Sequence, residues 1–150
     1  MPHRDAIAHR GRIDAIAQRA EAPILLLGRV ALAALYLPSG WGKLTNIAGF
    51  AGVLASKGLP GPAMAWAAVG AALEFFGSLA ILLGFKTRYA ALLMIVFTLF
   101  AAFLSHSYWT LTDPAALRNQ FIHFWKDIAI IGGLLFLFVR GAGSLGLDRV

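Results

Sequence analysis

The 150-residue chain contains no cysteine, and this absence removes several kinds of chemistry at once. Disulfides, thiol nucleophiles, thiolate metal sites and cysteine-ligated iron–sulfur clusters are all excluded within the chain. A redox role would therefore need a borrowed cofactor, and no covalently bound cofactor is expected.

Charged side chains are also scarce, at 13% of residues, whereas 59% of residues are hydrophobic and the mean hydropathy is +0.75. The chain is too apolar for a soluble domain of its size. A hydrocarbon core roughly 30 Å thick is crossed by about 20 apolar helical residues, and four segments have that length: 24–41, 63–85, 89–109 and 120–139. The sequence predicts an all-α, four-helix transmembrane bundle, with the lipid bilayer as its surroundings.

Acidic residues number only seven against 13 Lys and Arg, which gives a formal net charge of +6. The positions of the basic residues fit membrane topology better than nucleic-acid binding, so no nucleic-acid partner is expected. Eight lie before span one, between spans two and three, or after span four: Arg4, Arg10, Arg12, Arg19, Lys86, Arg88, Arg140 and Arg149. The alternate loops hold Lys43, Lys57 and Arg118. This asymmetry predicts cytoplasmic termini: a basic tail over residues 1–22, a membrane domain over 23–140 and a C-terminal tail over 141–150.

Two features qualify the first span and the loop after it. A cleaved signal peptide is a disfavoured alternative for the first span, because the apolar stretch is too long and Arg29 interrupts it. The first periplasmic loop has apolar residues at helical spacing between Thr45 and Ser56, followed by Gly58 and Pro62. It therefore predicts a short interfacial helix that ends before the second span begins.

Ionisable groups inside the spans are the informative exceptions, since each costs at least ~2.5 kcal/mol at membrane depth and tends to face the bundle interior. They share helix faces with other polar groups and lie mostly in the periplasmic half. The set is Arg29, Tyr36 and Lys43 in span one, Glu74 in span two, His106 at the end of span three, and Gln120, His123, Lys126 and Asp127 in span four. The sequence predicts that they form one inward-facing wall, with Arg29 deeper on the cytoplasmic side.

The wall has a structural interpretation and a functional one. Structurally, Glu74 would pair with Arg29, Asp127 would pair with Lys43, His106 or Lys126, and Lys126 could instead extend to the surface. This interpretation is favoured for Arg29 and Glu74, because Arg is a fixed charge. Functionally, His106 and His123 beside one carboxylate supply two groups of adjustable protonation. Two His and one Asp could ligate a metal, but no metal site is predicted.

The order of short motifs along the chain resembles the DoxX family of small bacterial membrane proteins over about residues 24–148. The matching segments are Ser39-Gly-Trp-Gly-Lys43, Gly58-Leu-Pro60-Gly-Pro62, Glu74-Phe-Phe-Gly77, Thr87-Arg88-Tyr and Phe124-x-Lys126-Asp127. The resemblance implies a four-helix bundle in the bacterial inner membrane. It also implies quinone-linked roles, since family members include subunits of a quinol oxidase and of a thiosulfate:quinone oxidoreductase, and others belong to oxidative-stress complexes. One departure is Asp127, where relatives often carry asparagine.

The resulting hypothesis is an inner-membrane subunit of a quinone-linked redox or oxidative-stress system, and whether it belongs to a quinone-dependent oxidoreductase is left open. Candidate catalytic groups are His123, Asp127, Glu74 and His106, and candidate quinone-binding groups are Lys43, Lys126, Gln120, Tyr36 and Arg29. In this scheme a histidine holds a quinone carbonyl, Asp127 exchanges its proton with the periplasm, and a lysine stabilises the oxyanion. The alternative is a non-enzymatic anchor or assembly partner, and self-association is left open. A transporter is disfavoured, because residues 128–139 carry no titratable group.

Overall fold

A computed structural model of the chain describes residues 2–148, with side chains described from Gly11 onward. Arg149 and the side chains of Arg4 and Arg10 lie outside the described residues. The helices are α1 (Pro2–Arg19), α2 (Glu21–Thr45), α3 (Ile47–Ser56), α4 (Ala63–Leu83), α5 (Thr87–Ser105) and α6 (Pro114–Arg140), with a 3₁₀ turn at Tyr108–Thr110. Helices α2, α4, α5 with the turn that follows it, and α6 are long and apolar enough to cross a membrane. The predicted all-α fold with four transmembrane helices is therefore confirmed.

Helices α2 and α5 run in one direction and α4 and α6 in the other. We call the end at which α2 and α5 finish and α4 and α6 begin the outer end, and the opposite end the inner end. The charge distribution predicts that the outer end faces the periplasm. Helix α2 packs mainly on α4, α4 on α5 and α5 on α6, while α3 folds back at the outer end to cover part of α4.

Small residues allow the close helix packing. A Cβ at Gly40 of α2 would lie 2.7 Å from the backbone nitrogen of Phe75 in α4, and a Cβ at Gly77 would lie 2.7 Å from the sulfur of Met94 in α5. A side chain at Gly40 would push α2 and α4 apart, whereas one at Gly77 would displace the Met94 side chain. The interior core is therefore built from close contacts, and large apolar side chains such as Phe136, 77% exposed, project towards lipid.

Helices α5 and α6 are joined at the outer end by a short irregular segment. Regular helix ends at Ser105, earlier than the predicted end of the span at Trp109, because the following residues are polar and make local bonds. The N–H of His106 donates to the Ala102 carbonyl at 2.9 Å, and the chain then enters the 3₁₀ turn. Helix α6 begins at Pro114, where the Asp113 carboxylate accepts the N–H of Ala116 at 2.8 Å. His106 consequently lies just beyond α5, facing the start of α6.

The inner end is closed by the C-terminal segment, residues 141–148. Gly84 ends α4 in the left-handed conformation with φ of 67°, which glycine adopts without strain. The Asp148 carboxylate accepts the N–H groups of Lys86 at 2.6 Å and Thr87 at 2.8 Å, and its own N–H donates to the Gly84 carbonyl at 2.7 Å. The segment thereby ties α6 to the turn between α4 and α5.

Candidate functional site

The sequence predicted that the ionisable side chains of the outer half form one network. In the structure they do not. Lys43 of α2 contacts Glu74 of α4, whereas His106 contacts Gln120 and Asp127 of α6. Helical spacing identifies the face on which each residue lies, but it does not identify which helices are neighbours. The predicted wall is therefore corrected to two sets of contacts on different helix pairs.

The first set is the pair of Lys43 and Glu74. The Lys43 ammonium donates to Glu74 Oε2 and, at 3.0 Å, to Ser39 Oγ, and it lies 5.2 Å from the centroid of the Phe50 ring. Glu74 is only 3% exposed. Arg29 is the expected partner of Glu74 in the structural interpretation. It precedes Lys43 by 14 residues in α2, which is about 21 Å along the helix at 1.5 Å per residue. That pairing was wrong, and Lys43 is the cation that compensates the buried carboxylate.

A cavity of about 750 Å³ lies beside this pair, between α3, α4 and α5. Lys43 is the one ionisable side chain among its lining residues in the described chain, and Asn46, Trp66 and Ser105 are the other side chains with polar atoms. The remaining wall is apolar: Phe50, Val53, Leu54, Leu59, Val69, Leu73, Leu93, Val96, Phe97, Phe100, Ala101 and Leu104, with three glycines. The cavity can hold an apolar ring or chain with one polar group at the ammonium.

The second set lies between the end of α5 and the start of α6. His106 Nδ1 is 2.7 Å from Gln120 Oε1, its Nε2 is 3.7 Å from Asp127 Oδ2, and its ring stacks on His123 with centroids 5.1 Å apart. An amide oxygen only accepts, so Nδ1 carries the hydrogen and Nε2 faces the carboxylate. A further proton on Nε2 would make an imidazolium–carboxylate pair. These side chains are about a quarter exposed and can exchange a proton with water at the outer end.

Tyr36 and Thr98 form a third polar contact in the middle of the bundle. Their hydroxyl oxygens are 2.6 Å apart, and the residues are 6% and 3% exposed. Tyr36 lies seven residues before Lys43 in α2 and contacts α5 through Thr98. It does not line the cavity.

Arg29 and Lys126 lie apart from these contacts. Arg29 is fully buried at the inner end, where its guanidinium donates to the carbonyls of Leu82 at 3.2 Å and Leu145 at 2.6 Å. Lys126 is exposed and makes no ion pair or side-chain hydrogen bond within the described residues, as expected for a lysine that reaches the surface. Neither side chain contributes to the cavity.

Sequence reasoning missed most of the cavity wall. Trp66 is near the outer end of a span, where a tryptophan is typical of an interfacial anchor. In the structure it lines the cavity, and its indole N–H donates to the Pro60 carbonyl at 3.0 Å. The sequence identifies Phe50 only as part of an apolar helix face. The spacing of Ile47, Phe50, Val53 and Leu54 was the available signal, since it predicts that α3 covers something, but spacing does not say which helices it covers.

Comparisons with known proteins give a consistent family match. The family model for DoxX matches residues 24–107. Inner membrane protein YphA of Escherichia coli (strain K12) is 36% identical over 126 residues, which cover 84% of this chain and 89% of YphA. Inner membrane protein YqjF of the same organism is 38% identical over 126 residues, covering 84% of this chain and 90% of YqjF. The Surfeit locus protein 4 homolog of Schizosaccharomyces pombe is 27% identical over 70 residues, only 23% of that protein. No solved structure matches the chain.

Proposed function

Because the chain belongs to the DoxX family and is a multi-pass protein of the bacterial inner membrane, we propose that it is a small subunit of a quinone-linked redox or oxidative-stress system. In this proposal the quinone ring lies in the cavity beneath α3. The observation that carries the proposal is an apolar cavity, open to membrane-dissolved molecules, with one ammonium group in its wall.

The cavity supplies what a quinone site needs. A quinone requires an apolar slot for its ring, a donor for a carbonyl oxygen and a group that can hold a proton. Phe50 and Phe97 provide aromatic surface, the Lys43 ammonium donates to the oxygen, and Glu74 is the proton-holding group beside it. Electrons come from a partner protein or a soluble donor.

The histidine cluster has a different role in this proposal from the one its sequence pattern suggested. Neither His106 nor His123 lines the cavity, so they do not hold the quinone carbonyl. With Asp127 they form a partly exposed group at the outer end that exchanges protons with the aqueous phase. Lys43 takes over the role of carbonyl partner.

A binding titration with a matched pair of variants tests the proposal. In Gly70→Leu, the new side chain starts from a Cβ 3.5 Å from the Phe50 ring and occupies the part of the cavity beside that ring. Gly132→Leu is the control, because Gly132 has open space around it on a different helix. In lipid nanodiscs, we expect a quinone to bind the parent protein and Gly132→Leu equally, and Gly70→Leu at least about tenfold more weakly, a loss of about 1.4 kcal/mol. Absence of binding, or equal binding by both variants, would contradict the proposal.

The second candidate function is a non-enzymatic anchor or assembly partner. It is favoured by one observation: Lys43, Glu74, His106 and Asp127 all have partners within the chain, so none of them requires a ligand. A pull-down from native membranes discriminates between the two functions. A stoichiometric partner that is lost on deletion of residues 1–20, and is retained with Asp127→Asn, would favour the anchor. The same pull-down separates a redox or stress-response partner from a second copy of the chain.

A further inference from the structure

The cavity is elongated along the bundle. Lys43 and Ser105 lie at its outer end, while Leu93 precedes Ser105 by 12 residues in α5, which is about 18 Å at 1.5 Å per residue. The cavity therefore extends from near the outer surface to about the middle of the bilayer. An occupant that fills it is a long molecule whose polar end lies near Lys43.

The open side of the cavity faces the hydrocarbon. Lining residues on α4 and α5 are strongly exposed on this side: Val69 by 51%, Val96 by 61% and Phe100 by 53%. At the outer end α3 covers the cavity, with Ala51 and Leu54 buried against α4. A ligand consequently enters sideways from the bilayer, and its chain leaves between α4 and α5.

The charge at the polar end decides which headgroups are accepted. Lys43 is the cation of the cavity wall, but it is already paired with Glu74. Wherever the shared proton lies, the two side chains together carry no net charge. The Lys43 ammonium has a third N–H besides those that it donates to Glu74 and Ser39, so a headgroup can accept a hydrogen bond without displacing either residue. An anionic headgroup would then lie beside the buried Glu74 carboxylate, and two negative charges repel each other in a medium of low dielectric constant. A neutral headgroup that accepts a hydrogen bond meets no such repulsion.

We propose that Glu74 is a specificity-determining residue, which restricts the cavity to neutral, membrane-dissolved amphiphiles and excludes anionic lipids of the same shape. The inference deepens the proposed function and rests on it only in using the same cavity. A quinone with a long isoprenoid tail has the required chemistry: a neutral head with acceptor oxygens and an apolar tail that lies in the bilayer.

Quenching of Trp66 fluorescence tests the inference. Trp66 lines the cavity, and replacing Trp41, Trp109 and Trp125 by Phe leaves it as the reporter. The probes are a brominated long-chain alcohol and the brominated sulfonate of the same chain length, which is anionic at every pH used. We expect the alcohol to bind the parent reporter at least about tenfold more tightly than the sulfonate, and Glu74→Gln to reverse this order, since it leaves Lys43 as an unpaired cation.

Two further variants control for changes in folding. The double variant Lys43→Gln with Glu74→Gln has no charge at this position and should again prefer the alcohol. Lys43→Gln alone leaves the carboxylate and should discriminate against the sulfonate at least as strongly as the parent, which gives a test even when Glu74→Gln does not fold. Equal binding of both probes to the parent reporter would overturn the inference. So would retention of the parent order in folded Glu74→Gln.

A quinone titration with the same reporter separates this inference from the proposed function. One outcome is that the alcohol binds while the sulfonate and the quinone do not. In that case Glu74 selects neutral headgroups as inferred, and the assignment of a quinone to the cavity is wrong. If the quinone binds and the sulfonate binds equally well, the quinone site stands and the role of Glu74 is wrong.

Discussion

The inner and outer ends of the bundle handle buried charge in different ways. At the inner end, the Arg29 guanidinium donates to the carbonyls of Leu82 and Leu145 while its Nε has no partner within the described residues, and the Asp148 carboxylate accepts two backbone N–H groups. At the outer end, charged and titratable side chains face one another, and a cavity of about 750 Å³ lies beside the pair of Lys43 and Glu74. Backbone partners are fixed in position and do not titrate, whereas side-chain partners can change protonation and move. The inner end therefore holds the fold together, and the outer end is where the proposed chemistry would take place.

The largest expected effect is the loss of Arg29, which would break the inner end. Arg29→Leu removes two charge-assisted hydrogen bonds and leaves the buried carbonyls unpaired, so we expect a loss of about 3 kcal/mol in the free energy of unfolding. Denaturant unfolding in lipid nanodiscs measures it. Arg29→Lys, which keeps the charge but offers fewer donors, should lie between the two proteins. If Arg29→Leu were as stable as the parent protein, the inner end would not have the structural role described above.

A smaller effect is expected when Lys43 is replaced by methionine. The change preserves most of the side-chain volume but leaves Glu74, 3% exposed, without its cation. Because the unpaired Glu74 carboxyl group can take up a proton and so avoid a buried negative charge, we expect a cost of only about 2 kcal/mol. The double variant Lys43→Met with Glu74→Leu should recover most of the loss. A double variant as unstable as the single one would show that the pair contributes something other than mutual neutralisation.

Much of the fold could be predicted from the sequence, because hydrophobic length alone identifies four transmembrane helices and Asp113-Pro114 marks the start of α6. The site was less predictable. Lys43 and Glu74 were both identified as candidates, but their pairing depends on the close contact of Gly40 with Phe75 between α2 and α4. Helical periodicity carries no information about that neighbour relation. The cavity depends in addition on where α3 folds back.

The hydroxyl pair in the middle of the bundle should have an intermediate role. Tyr36→Phe removes one buried hydrogen bond to Thr98 and leaves that hydroxyl unpaired, for which we expect about 1 kcal/mol. Thr98→Val should cost a similar amount, and the double variant Tyr36→Phe with Thr98→Val less than their sum. Thermal unfolding of the four proteins measures the coupling. Strict additivity would mean that the two hydroxyls do not depend on each other.

The smallest effect concerns Asp148 and appears only in acid. Desolvation acts to raise the pKa of its carboxyl group, but hydrogen bonds from Thr87 and Lys86 and the charge of Lys86 outweigh it, so the pKa lies below the ordinary value of 3.8. A lowered pKa in the folded state adds stability above the ordinary pKa, and this stability is lost as the pH falls through the lowered value. Between neutral pH and mild acid Asp148 should therefore cause no change.

Hydrogen exchange of the Lys86 and Thr87 amides measures this contribution. Their protection should hold near neutral pH and fall in strong acid, after correction for the intrinsic pH dependence of exchange. In Asp148→Asn the protection should already be lower at neutral pH and should change little in acid. Protection in the parent protein that persists unchanged through strong acid would show that Asp148 does not hold the inner end through its charge.

Photocrosslinking is the most direct test of whether the cavity beneath α3 holds a quinone beside Lys43. A photoreactive quinone analogue with a long tail is incorporated into nanodiscs with the protein, the sample is irradiated, and the labelled sites are mapped by peptide mass spectrometry. We expect label on cavity residues of α3 and α5, such as Phe50 and Phe97, that is displaced by excess natural quinone and lost in Gly70→Leu. Label confined to the α5–α6 junction around His106 and His123, or not displaced by quinone, would contradict it.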